Sequence, residues 1–310
     1  MKILFMGTDR FAVPSLLALV QAGHTVPAAV TQPDRPRGRG QKLLPTPLKE
    51  AALSLGIQVL SPLKLKDGDF LEKLKELSPD LIVVSAYARL IPGTILNLPP
   101  LGCINVHPSL LPRFRGATPI ESAILAGEKE TGISIFLMDE GYDTGDLILK
   151  KSFPIGEVET GGELRERLAG ASAPLLLSAV RMLEEAKAVR TPQDRSAGEY
   201  TRPFKKEDEK IIWTEPAEKI FNRIRALNPR PGACTSFKGK NLKVLRSRIG
   251  SSERMDAPGE IISLVRGEGP EIACGRSSII LLEVQPEGKK PMLGWDFTVG
   301  HRPVIGDKFI

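Results

Sequence analysis

Apolar residues in the first two hundred positions alternate between short continuous runs and stripes spaced three to four residues apart. These are the patterns of buried strands and amphipathic helices. Residues 2–6 predict a strand, residues 11–20 a helix that Gly23 ends, and residues 25–31 a second strand. Thr46-Pro47 has the form of a helix cap followed by a first-turn proline, with Leu48, Ala51, Ala52 and Leu55 on one face and Gly56 as the stop. Residues 57–60, a helix carrying Phe70, Leu71, Leu74 and Leu77, and a strand at 81–85 repeat the scheme. Capping boxes at Thr118–Glu121 and Thr160–Glu163 open two further helices, and Pro174 is expected to kink or break the second. Strands alternating with helices predict an α/β domain: a Rossmann-like, mostly parallel sheet flanked by helices. Ligands of such sheets sit at the carboxyl ends of the strands, so the segments just after each strand matter most.

The pattern lapses at 190–206 into a polar stretch with prolines and arginines that reads as a linker. One helix follows, residues 217–227, with Ile220, Phe221, Ile224 and Leu227 on a face and Asn228-Pro229-Arg230-Pro231-Gly232 as its stop. The remainder is short strands and turns, which predicts a small OB-like β-barrel. The expected division is therefore a domain at 1–189, a linker at 190–206 and a second domain at 207–310.

Composition sharpens this picture in three ways. Of 310 residues, 41% are hydrophobic and 26% charged, an ordinary globular balance without an apolar run of membrane-spanning length. No targeting segment precedes the first strand, so the expected compartment is the cytoplasm. The three cysteines, Cys103, Cys234 and Cys274, are far apart and suit neither a disulfide framework nor a zinc ribbon. The net charge of +6 lies wholly in residues 200–310, where 20 Lys and Arg face 14 Asp and Glu. A basic module on a neutral body points to a polyanionic partner, RNA before DNA or membrane.

The first strand is followed by Met6-Gly7-Thr8-Asp9, with one glycine, and no Walker sequence occurs. Dinucleotide and nucleoside-triphosphate chemistry thereby lose their main support. The densest cluster of chemistry runs from Gly102 to Gly116. Asn105 and His107 stand two apart on a strand, hence on one face, and an amide beside an imidazole at a strand end can stabilise an oxyanion. His24 and His301 have no such company. A second cluster, Asp139 to Asp146, follows the apolar strand at 133–137 as an acidic turn around two glycines, able to present one carboxylate to His107. It lacks the spacing of a calcium loop.

Asn105-x-His107-x-Ser109-Leu110-Leu111-Pro112 with Asp143-Thr144-Gly145 resembles the signature of the folate-dependent formyltransferases. Met6-Gly7-Thr8, Pro33-Asp34-Arg35-Pro36, Gly38-Arg39-Gly40 and Asn228-Pro229-x-Pro231-Gly232 resemble the branch of that family that acts on initiator methionyl-tRNA. The likeness spans nearly the whole chain, with departures at Pro108, Phe114, Ile212 and Arg230. It implies transfer of a formyl group from 10-formyltetrahydrofolate to the amine of methionine on initiator tRNA, without a metal. It also implies Asn105, His107 and Asp143 as the catalytic residues, with Asp143 orienting His107. The folate would be held by Ser109, Leu110, Leu111 and Pro112, and by Ala86, Tyr87, Arg89, Leu90 and Ile91. The long cationic loop after the second strand, with Arg35, Arg37, Arg39 and Lys42, would meet tRNA, as would Lys205 and Lys206. A monomer is expected. The competing readings are formyl transfer to a small amine such as glycinamide ribonucleotide, hydrolysis of formyl-folate, and a non-catalytic RNA-binding protein.

Overall fold

The computed structural model describes residues 1–37, 42–194, 196–251 and 257–310. From the amino terminus the elements are β1 (Ile3–Gly7), α1 (Val13–Gln21), β2 (Ala28–Val30), β3 (Arg35–Arg37), β4 (Lys42–Leu44), α2 (Pro47–Ser54), β5 (Gln58–Leu60), α3 (Gly68–Leu77), β6 (Leu81–Ser85), α4 (Gly93–Leu96) and β7 (Cys103–His107). They continue with β8 (Arg115–Gly116), α5 (Pro119–Leu125), β9 (Glu130–Leu137), β10 (Leu147–Pro154), α6 (Gly161–Glu184) and β11 (Tyr200–Thr201). The chain forms two compact units, the first comprising Met1–Pro119, Thr131–Phe153 and Arg165–Thr201.

Local chemistry explains most of these boundaries. Thr46 caps α2 by accepting from the Lys49 amide at 3.1 Å, and Asp67 caps α3 by accepting from Phe70 at 3.2 Å. The fully buried strands β1 and β6 are apolar throughout and pair in parallel. The sheet order is β10-β9-β7-β6-β1-β2-β5, with β5, β2, β1, β6 and β7 parallel and β9 running antiparallel to β7. Leu4, Met6, Ile82 and Val84 share one core cluster with Phe70 and Leu74 of α3, so the amphipathic face of that helix covers this face of the sheet. Each such side chain contributes about 1.5–3 kcal/mol by leaving water.

Helix α6 is continuous through Pro174, so of the expected kink or break the break does not occur. Proline removes one donor and crowds the carbonyl four residues back. Here that carbonyl belongs to Gly170, and both residues lie on the exposed face, where the freed oxygen can meet water. Buried Leu168 and Ala169 before the proline, and Leu176, Ala179 and Val180 after it, anchor both halves of the helix.

The second unit comprises Ile120–Glu130, Pro154–Leu164 and Arg202–Ile310. It adds α7 (Ala217–Leu227), β12 (Ala233–Phe237), β13 (Lys240–Ile249), β14 (Ile261–Val265), β15 (Gly269–Ala273), β16 (Ser278–Pro286), β17 (Met292–Leu293) and α8 (Gly294–His301). The strands form an antiparallel sheet in the order β12-β13-β16-β15-β14. The last residues join its two edges. Phe309 bridges Phe237 of β12, and Lys308 bridges Glu260 beside β14, closing the sheet into a barrel. Closure also removes the open edges that would otherwise invite pairing with another chain. The interior holds Trp213, Phe237, Phe297 and Phe309, against which α7 lays Ile220, Ile224 and Leu227. Trp213 Nε1 donates to Thr235 Oγ1 at 3.0 Å, so its one polar atom is satisfied in the core.

Thr160 and Glu163 form the complete capping box expected from their spacing: Glu163 Oε2 accepts from the Thr160 amide at 2.8 Å, and Thr160 Oγ1 from the Glu163 amide at 3.2 Å. Among the described residues no helix is long and apolar enough to cross a membrane.

Candidate active site

Three of the predicted site residues meet at the carboxyl end of β7. Asn105 lies opposite Phe136, and His107 opposite Ser134, in the antiparallel pairing with β9. The chain then leaves β9, turns through the acidic loop and returns Asp143 to the same place. Asn105 Nδ2 lies 3.4 Å from Asp143 Oδ1, and His107 Nδ1 lies 3.7 Å from Asp143 Oδ2. Both are long for hydrogen bonds, but both nitrogens converge on one carboxylate. His107 is buried, while Asp143 keeps 17% of its side chain exposed. The His107 ring meets Phe136 edge-on with centroids 6.5 Å apart, an apolar wall on that side.

His107 Nε2 lies 2.9 Å from the carbonyl oxygen of Phe114. A carbonyl only accepts, so Nε2 carries a proton, and Nδ1 is the nitrogen that faces Asp143. The spacing of Asn105 and His107 does not reveal this contact, which engages one of the two ring nitrogens.

The Ser109–Pro112 turn is itself locked. Ser134 Oγ donates to the Ser109 carbonyl at 2.7 Å and accepts from the Leu111 amide at 3.1 Å, while Ser109 Oγ donates to the Arg113 carbonyl at 2.6 Å. Ser109 and Leu111 are fully buried, and Leu110 packs against the backbone of Gly132.

Asp143 is held at both its side chain and its backbone. The Gly116 amide donates to Asp143 Oδ2 at 2.8 Å. The Asp143 carbonyl accepts from Arg115 Nε at 3.2 Å and from Gln193 Nε2 at 3.1 Å. Its φ of 55° lies in the left-handed region, which costs a non-glycine residue roughly 1–2 kcal/mol and requires support from its surroundings. Gly145, two residues on, approaches the Leu137 backbone so closely that no side chain fits there. Gly116 has a φ of 100° and lies against the Thr201 carbonyl, so it too must be glycine.

Among the described residues, Arg115 is the largest fully buried side chain. Besides Asp143 its guanidinium donates to Gln193 Oε1, to the Asp194 carbonyl at 3.1 Å and to the Ala197 carbonyl at 3.1 Å. Burying a cation costs several kcal/mol unless its donors are met, and here neutral oxygens meet them. The exposed ring of Tyr200 lies 5.7 Å from the guanidinium carbon, and β11 pairs with β8 through Tyr200–Arg115 and Thr201–Gly116. Gln193, Asp194, Ala197, Tyr200 and Thr201, inside the stretch that reads as a linker, thus buttress the site. Gln193 was missed for that reason; Arg115 stood in the motif without an assigned task.

Of the residues expected to hold folate, three line one cavity. Arg89, Leu90 and Ile91 line a cavity of about 620 Å3 with residues 63–66, 92, 93 and Glu140. Arg89 donates to the carbonyls of Pro62 and Leu63, each at 3.1 Å. Tyr87 turns into the core behind β6, and burial pushes its hydroxyl above the ordinary range. Ala86 and Ala88, at φ 46° and 59°, bend the chain sharply at the carboxyl end of β6. Neither Ala86 nor Tyr87 lines the cavity, and neither do residues 109–112.

Of the cations expected to meet tRNA, Arg35 is exposed, at the start of a small antiparallel hairpin formed by β3 and β4. Arg37 and Lys42 pair in its backbone register, and Arg39 lies outside the described residues. Lys205 and Lys206, in the second unit, are exposed beside a 3-10 turn over Lys206–Glu209.

A parallel sheet that brings an asparagine, a histidine and an aspartate to one strand end, followed by an antiparallel barrel, defines a class. The Formyl transferase family model matches residues 1–180, and the Formyl transferase, C-terminal domain model matches 203–302. The chain belongs to the formyltransferase family. Within it the chain groups with the methionyl-tRNA formyltransferases. It is 48% identical to that of Syntrophus aciditrophicus, over 98% of this chain and 97% of the relative. It is 49% identical to that of Pelotomaculum thermopropionicum, over 97% and 96%. In fold it is similar to Aquifex aeolicus HypX in complex with tetrahydrofolic acid, with a TM-score of 0.67, 18% identity, and coverage of 99% of this chain and 48% of that one. It is also similar to the Helicobacter canadensis N-formyltransferase in complex with folinic acid and dTDP-3-aminofucose, with a TM-score of 0.66, 21% identity, and coverage of 92% and 99%.

Proposed function

We propose that this chain, acting in the cytoplasm as a monomer, transfers a formyl group from 10-formyltetrahydrofolate to the amine of methionine on initiator tRNA. The product is N-formylmethionyl-tRNA. The observation that carries the mechanism is the convergence of Asn105 Nδ2 and His107 Nδ1 on the Asp143 carboxylate. Two donors aimed at one negative charge mark the place where a second, developing negative charge is stabilised.

The formyl carbon of 10-formyltetrahydrofolate is attacked by the neutral amine, and its oxygen gathers charge. Asn105 Nδ2 and the protonated Nδ1 of His107 supply hydrogen bonds to that oxygen. Asp143, beside His107, accepts the proton that the attacking nitrogen loses, while His107 gives its Nδ1 proton to the departing N10 and regains one from Asp143. The Phe114 carbonyl keeps the imidazole from rotating during the exchange. Neither a covalent enzyme intermediate nor a metal enters this scheme.

For the folate, leucines and isoleucine together with Lys64, Lys66 and Arg89 in the 620 Å3 cavity suit a flat ring system that ends in carboxylates. Residues 109–112 and Ala86–Tyr87 would act by shaping the backbone around it. For the tRNA, the positive excess of the last third supports phosphate contacts by Lys205 and Lys206, and the cationic segment after β2 adds Arg35, Arg37, Arg39 and Lys42 as candidates. The test is formylation of methionine-charged initiator tRNA with 10-formyltetrahydrofolate, with glycinamide ribonucleotide as the control amine. Formylation of the tRNA alone is expected. Preference for the ribonucleotide would overturn the reading.

A further inference from the structure

We propose that Gln193 is a positioning residue for Asp143: together with the buried Arg115 it fixes the turn that aims the Asp143 carboxylate at His107 and Asn105. The proposal rests on the role given above to Asp143.

The argument starts from the strain in that turn. A left-handed aspartate persists only where its surroundings over-determine it. Gln193 Nε2 donates to the Asp143 carbonyl at 3.1 Å and to the Gly145 carbonyl at 2.7 Å, so one amide group spans both ends of the turn. Its Oε1 accepts from Arg115 Nη2 at 2.9 Å and from Nε at 3.3 Å. Both amide protons and the amide oxygen are therefore used, in a side chain only 8% exposed. Arg115 in turn grips the Asp143 carbonyl through Nε, while the next residue, Gly116, grips the carboxylate through its amide. Backbone and side chain of Asp143 are thus held from one short strand, with Gln193 as the brace across it. The guanidinium donates to the Gln193 amide oxygen and to backbone carbonyls, so Gln193 serves by donating and accepting at once, as a side-chain amide can.

A role confined to holding Arg115 in place would need only the oxygen that faces it. Gln193→Glu separates the two functions. It keeps that oxygen and adds an ion pair with Arg115, but it removes both donors and sets a carboxylate against two carbonyls.

The expected result for Gln193→Glu is a thermal midpoint at or above wild type, KM for 10-formyltetrahydrofolate and for charged initiator tRNA within about threefold, and kcat lowered at least tenfold. In NMR spectra the His107 imidazole resonances should move while those of His24 and His301 stay; the His107→Ala spectrum supplies the assignment. Should the variant melt earlier, kcat is read well below its midpoint and judged by the same criterion. Wild-type kcat in the folded variant, or unmoved His107 resonances, would overturn the proposal. The spectra do not depend on the substrate, so a wild-type enzyme that failed to formylate initiator tRNA would count against the assigned reaction alone.

Discussion

His107 donates through Nε2 to the Phe114 carbonyl at 2.9 Å, which leaves Nδ1 as the nitrogen that faces Asp143 at 3.7 Å. The ring is thereby fixed in its rotation, with one proton held on Nε2, before any substrate arrives. Phe114 itself holds a φ of 55°, so the acceptor is presented by a strained residue in the segment that also supplies Arg115 and Gly116. Preorganisation of this kind lowers the reorganisation needed during reaction.

Asn105→Ala, His107→Ala and Asp143→Ala should each reduce kcat by at least about a hundredfold, the scale of losing an oxyanion donor or an acid–base group. Binding of tRNA should persist in all three, as measured by filter retention. Near-normal turnover of the His107 variant would remove it from the mechanism.

Gly145→Ala forces a methyl group into the Leu137 backbone carbonyl, which cannot step aside as a flexible side chain would. The substitution should cost about 1–3 kcal/mol in urea unfolding. Because the displaced turn carries Asp143, kcat should fall by at least tenfold even where the variant is fully folded.

Burial pushes the thiols of Cys103 and Cys274 up to about 12, and that of Cys234 upward as well, with Glu209 adding to the effect. Both Cys103 and Cys274 are fully enclosed, whereas Cys234 is half-buried. Ellman's reagent at pH 8 should therefore label no more than Cys234 in native protein, and slowly. All three should react in guanidinium. Rapid labelling of two native thiols would contradict the packing of Cys103 against α4 or of Cys274 in the barrel.

The Glu163 carboxyl is held at about 2, below its ordinary 4.5, first by the Thr160 amide and then by Arg246 and the Thr160 hydroxyl. A depressed carboxyl contributes stability above its unfolded value and loses it as pH falls towards the folded one. The side chain is 48% exposed, so solvent reduces the effect to about 1 kcal/mol. Wild type should exceed Glu163→Gln by that amount in urea at pH 7, with the gap shrinking by roughly half or more at pH 3. A gap that stays constant would argue against the capping box as its source.

Trypsin should cut free protein after Arg37, Arg39 or Lys42, and initiator tRNA should protect those bonds if the cationic loop clamps the acceptor end. Arg39→Ala should lower formylation strongly without changing folate affinity. Cleavage unaffected by tRNA, together with wild-type turnover of this variant, would remove the loop from recognition.

Much of this molecule was readable from its sequence because the signals are local. Thr46-Pro47 and Thr160–Glu163 act within a single turn of helix, and α7 ends at the Asn228-Pro229 boundary where the sequence places it. The apolar run before Ser85 and the strand bearing Asn105 and His107 were likewise visible, because a buried parallel strand must be apolar and side chains two apart share a face. Helix α6 does not break at Pro174, because proline's cost depends on which face its neighbours present and on what anchors each half of the helix.

The sequence alone therefore determined the main strands and helices of the first unit, their order and the chemical types gathered at the end of β7. Tertiary structure decided what those types do. The Phe114 carbonyl that selects the histidine nitrogen, the Gln193 amide that reaches back fifty residues to Asp143, and the final residues that close the barrel all act across long separations. No periodicity encodes such contacts. Their partners are backbone atoms, which every residue carries, so only the folded path of the chain distinguishes the carbonyls and amides that meet these groups.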